Sequence, residues 1–402
     1  MSRPDGRRPH FTTLVLLTAL SVLSLNMYLP MLAEIATELD ADYALANLSI
    51  AGYLAITGVL QLIMGPFSDR FGRRPLILIG LGLFLAGSVT AALATSVWVF
   101  LFARVLQAGV ITGFTLSRAV VRDIAPPDQA AIMLGHIGAA MAIAPMLGPM
   151  AGGFLGEIFG WRAIFWFFTF VSLGLMIWCQ RDMVETNTAP SATFAAQFRE
   201  YPALFKSRRF WGYSLCLTFS TGSFYCFITA APLVLSAEFG LGPAELGLFM
   251  GVITVGFFAG NLLSGHLVKR YDLTVVMLAG RLLTVICVGF GTVLFLLGLG
   301  NLTFLIFSVI SVGLGNGLSI PPGNAGVMSV RPRLAGSASG ISGAMTVGGG
   351  AILTGLAGLL LNEDSGSIAL LLLLLGVVSA AALSAWYVRR VDLQEGPPVS
   401  DA

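Results

Sequence analysis

Charge is what this sequence has least of. Its 402 residues include 22 Lys and Arg and 20 Asp and Glu, 10% of the chain, where soluble domains carry about 25%. With 56% hydrophobic residues and a mean hydropathy of +0.87, a water-soluble globular protein is excluded. Histidine and cysteine are equally sparse, at 3 and 4 residues. The histidines are scattered and form no cluster. Cys179, Cys216, Cys226 and Cys287 lie in or beside apolar runs without paired spacing, so they read as packing residues and not as disulfides or metal ligands. The run "GGG" at 348–350 lacks the lysine of a phosphate-binding loop, and no nucleotide-binding domain or catalytic constellation is visible. No enzyme, metal, cofactor or nucleic-acid partner is expected.

What the sequence has in abundance is apolar runs of about 20 residues, each long enough to span ~30 Å of hydrocarbon. They fall at 11–35, 45–67, 75–95, 97–121, 130–156, 162–180, 210–236, 243–267, 273–297, 302–324, 336–361 and 367–388. Segments of this length satisfy their own backbone hydrogen bonds as helices. The expected fold is an all-α membrane protein of twelve transmembrane helices. Arg3, Arg7 and Arg8 before an apolar stretch suggest a signal peptide, but the run continues past Leu25, too long for such a core. It reads as a retained first span.

The bases set the orientation. Arg3, Arg7, Arg8, Arg70, Arg73, Arg74, Arg122, Arg181, Arg199, Lys206, Arg208, Arg209, Lys269, Arg270, Arg331, Arg333, Arg389 and Arg390 all fall on one side of this arrangement. The opposite loops carry Glu38, Asp40, Asp42, Glu157, Glu238, Glu245, Glu363 and Asp364, with Arg162 as their one base. Both termini are therefore expected in the cytoplasm. The polar stretch 181–209 divides 1–180 from 210–402, giving two six-helix bundles and a cytoplasmic linker. "QLIMGPFSDRFGRRPLILIG" (61–80) also echoes "NLLSGHLVKRYDLTVVMLAG" (261–280), as parallel transporter repeats do.

The stretch "GPFSDRFGRRP" (65–75) places Asp69, Arg70, Arg73 and Arg74 in one turn between oily runs. It resembles the loop 2–3 signature of the major facilitator superfamily, carried by Gly65, Asp69, Arg70, Gly72, Arg73 and Arg74. "RVLQAG" (104–109) resembles the span 4 motif of proton-coupled members, and "APMLGPMAGG" (144–153) the span 5 motif associated with antiporters. "NMYLP" (26–30) and "SRAVVRD" (117–123), with "FW" (210–211) and "AAPLVL" (230–235), are similar to bicyclomycin/chloramphenicol-resistance exporters of the amphenicol type. The resemblance implies two pseudo-symmetric six-helix bundles working as a monomer in a bacterial inner membrane. It further implies alternating access and efflux of small drugs in exchange for protons.

Topology alone explains the arginines of loop 2–3 but not Asp69 or Gly72. A short loop needs a residue tolerant of positive φ, which Gly72 supplies. Asp69 needs a partner, either Arg73 or a helix N-terminus. In similar transporters this aspartate reaches the start of span 11, here "GSASG" (336–340), and an arginine meets an acid ending span 4, here Asp123, with Arg73 and Arg70 as its alternative partners. The expectation is a conformational latch of Gly65, Asp69, Arg70, Gly72, Arg73, Arg74, Arg118, Arg122 and Asp123 on the cytoplasmic side.

Ionisable residues inside spans are candidate functional groups. Arg104 lies about 10 Å into span 4 and either snorkels or faces the cavity to steer proton coupling. Arg122, 18 residues on, is expected on the same face. Arg281 is open between substrate contact and snorkelling. The exporter type commonly has an aspartate before "MYLP"; Asn26 stands there and cannot exchange a proton. Glu34 remains as coupling acid or outer-surface residue, and His136 titrates near neutrality. In span 5, Pro145, Gly148, Pro149, Gly152 and Gly153 are expected to form a tight contact with the other half that blocks proton leak. Asn26, Tyr28, Tyr53, Gln61, Tyr225, Asn261, Asn316 and Arg281, with Phe224 and Phe227, are candidates for substrate contact or ordinary packing. With no clear buried acid, neutral or weakly anionic substrates fit better than cations. The alternatives are a proton-coupled or uncoupled carrier for a small metabolite, and a sensor that kept the fold.

Overall fold

The computed structural model describes residues 9–125, 127–187, 204–331, 334–361 and 366–395; of some helical residues, Arg122, His136 and 335–337 among them, only the backbone is described. Arg3, Arg7, Arg8, Arg199, Arg333, Glu363 and Asp364 lie outside the described residues. The chain packs as two units, Met1–Phe194 and Ala195–Ala402. No strand occurs among the described residues.

Unit 1 contains α1 (Phe11–Asn26), α2 (Leu32–Glu38), α3 (Tyr43–Phe71), α4 (Arg73–Ala92), α5 (Val97–Gln107), α6 (Ile111–Ile124), α7 (Pro127–Phe159) and α8 (Arg162–Asp182). Unit 2 contains α9 (Arg208–Phe239), α10 (Pro243–Leu267), α11 (Leu273–Leu296), α12 (Leu302–Ser329), α13 (Ala335–Leu360) and α14 (Ser367–Glu395). Among the described residues 11 stretches are long and apolar enough to cross a membrane, with α1–α2 counted as one and α5–α6 as one. The 33-residue α7 brings the spans to twelve.

Two spans expected to be continuous are broken. Span 1 passes through a 3₁₀ turn at Leu29–Met31, where Pro30 removes a backbone donor. Span 4 tightens into a 3₁₀ turn at Ala108–Val110. Three residues at 120° instead of 100° add about 60° of rotation to the span.

Caps end the helices locally. Ser96 Oγ accepts from Val99 N at 3.4 Å, and Asn301 Oδ1 from Phe304 N at 3.1 Å; such contacts satisfy first-turn donors. Gly240, at φ 64°, ends α9. Other caps come from distant chain. Asp182 accepts from His10 N at 3.0 Å and from Thr13 Oγ1 at 2.5 Å, fastening α1 to the end of α8.

In unit 1 an aromatic core of Tyr28, Phe84, Phe100, Trp161, Phe165 and Phe168 packs mostly edge to face. Trp161 Nε1 donates to Glu38 at 2.6 Å. Arg162 pairs with the same carboxylate, stacks on Trp161 and donates to Ala94 O at 3.0 Å. This is what the one base among the acidic loops does. In unit 2, α10 and α12 meet backbone to backbone: Cβ atoms on Gly256 and Gly260 would run into Ile310 and Leu314 main chain, and those on Gly313 and Gly317 into Ile253 and Phe257. Side chains such as Trp98, Phe102, Ile286 and Phe290 are left exposed on the helix exteriors, as lipid-facing residues must be.

Candidate functional site

Arg104, on α5, is 1% exposed. Its guanidinium carbon lies 4.4 Å from the Tyr28 ring centroid and 4.5 Å from that of Tyr53. Its NH1 donates to Gln107 Oε1 at 2.5 Å, and Gln107 Nε2 donates to Ser88 Oγ on α4 at 2.8 Å. The tyrosines are themselves fixed. Tyr28 OH meets Ser49 Oγ at 2.9 Å, and Tyr53 OH meets Ser24 Oγ at 2.7 Å. Ser24 spends its own proton on Ser21 O, so Tyr53 is the donor. One cation thus laces spans 1, 2, 3 and 4.

No described carboxylate pairs with Arg104, and its Nε and NH2 have no hydrogen-bond partner among the described residues. Placing an arginine in mid-membrane costs about 2.5–3.5 kcal/mol on insertion scales. Two desolvated cation–π contacts at up to ~2 kcal/mol each, with a charge-assisted hydrogen bond, offset that without any acid. Arg104 is a cation buried by tyrosines and does not snorkel. Asn26 donates to Val22 O at 2.8 Å, while its Oδ1 has no partner among the described residues.

A second cluster gathers at the arginine-rich end of unit 1. Gly72 has φ 94° and turns the chain from α3 into α4. Arg73, 8% exposed, pairs through NH1 with Asp69 at 2.5 Å and through Nε with Asp123 at 3.2 Å; NH1 also meets Ser68 Oγ. Of the two arginines that stood as partners for Asp123, Arg73 takes it. Arg70 lies over Phe71, Arg118 lies over Phe114, and Arg74 donates to Gln180 O at 3.0 Å. Arg122 and the first residues of span 11 fall where side chains are not described.

Unit 2 buries its own cation. Arg281 on α11 is 0% exposed; Nε donates to Ser319 Oγ at 2.8 Å and NH1 to Asn316 Oδ1 at 2.9 Å, both on α12. Its NH2 has no partner among the described residues, and no described carboxylate pairs with it. Snorkelling is excluded here too. Arg209, by contrast, is held by Asp392 at 3.0 Å and Glu395 at 3.2 Å, tying the start of α9 to the end of α14.

The other candidates separate. Glu34 is exposed on α2, away from the Arg104 cage in burial. Asn261 is exposed, and Gln61, Phe224 and Tyr225 are half-buried. Phe227 is fully buried against Phe249, so it packs the core and does not line a cavity. In span 5, Cβ atoms on Gly148 and Gly152 would meet Leu23, Asn26 and Met27 of span 1, so these two glycines close a seam within unit 1. Pro145 and Pro149 lie within α7, and Gly153 is buried. Sequence reasoning read Gln107 only within "RVLQAG" and missed Ser88, each a polar residue inside an apolar run. It also missed Glu185, Thr186 and Asn187 beside the loop 2–3 cluster, which lie in the polar stretch after span 6.

The family model of the Major Facilitator Superfamily matches residues 14–341 and again 213–401. Multidrug resistance protein D of Escherichia coli (strain K12) is 28% identical over 370 residues, covering 91% of this chain and 92% of that protein. A chloramphenicol resistance protein of Pseudomonas aeruginosa is 30% identical over 254 residues, 63% of this chain and 60% of that one. Among solved structures, a bacterial homolog of the human lysosomal transporter Spinster, inward-facing and unoccupied, aligns with a TM-score of 0.76 at 17% identity over 98% of both chains; at that identity it speaks to the fold alone. Matched by the superfamily's model along nearly its whole length, the chain belongs to the Major Facilitator Superfamily and is a multi-pass membrane transporter, not an enzyme.

Proposed function

We propose that this chain is a secondary active exporter that carries small lipophilic drugs, neutral and amphenicol-like, out across the bacterial inner membrane in exchange for protons. The names of its relatives support drug efflux, and the arginine-rich loops support cytoplasmic termini. The observation that carries the substrate class is the pair of buried arginines, Arg104 and Arg281, with no described carboxylate beside either. Near either arginine a cationic drug would meet a like charge and no described carboxylate, whereas a neutral or weakly anionic one would be better tolerated.

In this reading Arg73, bridging Asp69 and Asp123, is the cytoplasmic latch, closed when the cavity faces outward. Each charge-assisted contact is worth about 1–2 kcal/mol, enough to bias alternating access without freezing it. Arg104 steers the proton through its fixed charge, with Glu34 or His136 as the titrating partner. Since Asn26 cannot exchange a proton, the second reading is an uncoupled carrier for a small metabolite.

Proton release from purified protein on adding chloramphenicol, florfenicol and a panel of cationic drugs tests the proposal, with Glu34→Gln and Arg104→Ala alongside. Release by a neutral amphenicol and not by cations is expected, abolished in Arg104→Ala. Loss in Glu34→Gln as well would make Glu34 the coupling acid. A folded protein that binds amphenicols but releases no proton would favour the uncoupled carrier.

A further inference from the structure

Residues 183–187, the non-helical stretch immediately after α8, do not simply leave the bundle. Three consecutive side chains each grip a different part of the loop 2–3 cluster. Glu185 accepts from Arg73 N at 2.9 Å and Arg74 N at 3.2 Å, capping α4 from more than a hundred residues away in the chain. Asn187 Nδ2 donates to Asp69 O at 2.7 Å, taking up a carbonyl at the end of α3. Thr186 Oγ1 donates to Asp123 Oδ2 at 3.0 Å, the same oxygen that accepts from Arg73 Nε. Both sides of the Gly72 turn and the acid of span 4 are therefore held by one short segment.

Gly72 gains a second reason to be glycine. A Cβ there would lie 2.9 Å from Glu185 Cδ and closer still to a carboxylate oxygen. With ψ at 155°, this positive φ is already a conformation essentially reserved for glycine; the Glu185 carboxylate then fills the space where a Cβ would sit. The four first-turn amides of a helix need outside acceptors, and a carboxylate is the strongest a side chain can offer there.

We infer that Glu185, Thr186 and Asn187 are positioning residues of the latch: they hold Arg73 where it reaches Asp69 and Asp123. The start of the linker between the two units is thus a working part of the latch. This rests on the latch reading of the loop 2–3 cluster. A segment whose tension changes as the units move would then set, through Glu185 and Thr186, how firmly Arg73 holds its two acids.

The test is hydrogen–deuterium exchange on the full chain in nanodiscs, followed in peptides covering 66–80 and 116–124. The variants are Glu185→Ala, Glu185→Gln, Asp69→Asn and the double variant Glu185→Ala/Asp69→Asn. Glu185→Ala is expected to speed exchange of the Arg73 and Arg74 amides about tenfold and to loosen the end of α6 around Asp123 as Asp69→Asn does. The double variant should loosen it no further than Asp69→Asn alone. Glu185→Gln, which keeps one acceptor oxygen, should recover part of the protection. If only the Arg73 and Arg74 amides respond and the end of α6 keeps wild-type exchange, Glu185 is a helix cap and the inference fails. Chloramphenicol efflux is measured on the same variants. Wild-type efflux in Asp69→Asn would sink the latch reading itself, whatever the exchange data show, and that result is distinct from failure of the strap.

Discussion

The Arg104 cage makes a quantitative prediction. Tyr53→Leu removes one of two aromatic faces from a guanidinium that is 1% exposed, at a ring distance of 4.5 Å. A cation–π contact is worth ~0.5–1 kcal/mol when exposed and ~2 kcal/mol when desolvated, so about 1–2 kcal/mol is expected here. The substitution also strips Ser24 of its partner, adding about 1 kcal/mol. A double-mutant cycle with Arg104→Met separates the two, because the Ser24 loss and the loosened Gln107 appear on both sides of the cycle and cancel. Free energies of unfolding in SDS for the four proteins should give a coupling of about 1–2 kcal/mol, above the ~0.6 kcal/mol average for interhelical hydrogen bonds in membranes. A coupling below about 0.3 kcal/mol would mean that the tyrosines merely surround Arg104 and do not stabilise its charge.

Three further outcomes follow from the packing. A Cβ on Gly152 would lie 2.6 Å from the Met27 carbonyl carbon, backbone that cannot rotate away, whereas one on Gly174 meets nothing within 4 Å; Gly152→Ala should cost about 1–3 kcal/mol in SDS unfolding and Gly174→Ala next to nothing. Arg281→Met leaves the buried Ser319 Oγ and Asn316 Oδ1 without their donor and should cost about 1–3 kcal/mol, which the further change Asn316→Leu should partly restore by removing the stranded acceptor; thermal unfolding of the single and double variants checks both. Cys179, Cys216 and Cys226 are buried and Cys287 is half-buried, so mass spectrometry after N-ethylmaleimide treatment should find Cys287 labelled first in native protein and all four labelled in SDS.

The spans were legible in the sequence because the bilayer tests one property, the length of an apolar run, and that property is local. Gly72 was legible for a similar reason: a turn of so few residues restricts φ whatever surrounds it. Asp69 was open between Arg73 and a helix N-terminus, and only the resemblance pointed Asp123 to an arginine, because a carboxylate's charge names the kind of partner and not which one the fold brings near. At the Leu29–Met31 break Pro30 was the one local signal, and the Ala108–Val110 break was not legible, since it contains no proline and helix tightening there leaves no mark on hydropathy. Gly148 and Gly152 announced a close approach but not its partner, because a small residue records the absence of a side chain and not what fills the space. Glu185 was invisible for the opposite reason. It sits in a polar stretch where solvent would serve it equally well, and only the fold brings it to the amides of Arg73 and Arg74.

The seam between α10 and α12 has a mechanical consequence. Where glycines face main chain across two helices about 38 and 42 Å long, no layer of rotatable side chains lies between them to absorb strain along Gly256, Gly260, Gly313 and Gly317. Such a pair behaves as a single stiff lever: a displacement applied near Arg270 arrives near Asn301 undamped. Compliance in unit 2 must then reside elsewhere, in helices joined through longer side chains. A transporter with one unyielding strut can change what it carries by altering the strut's outer faces while leaving its stroke untouched.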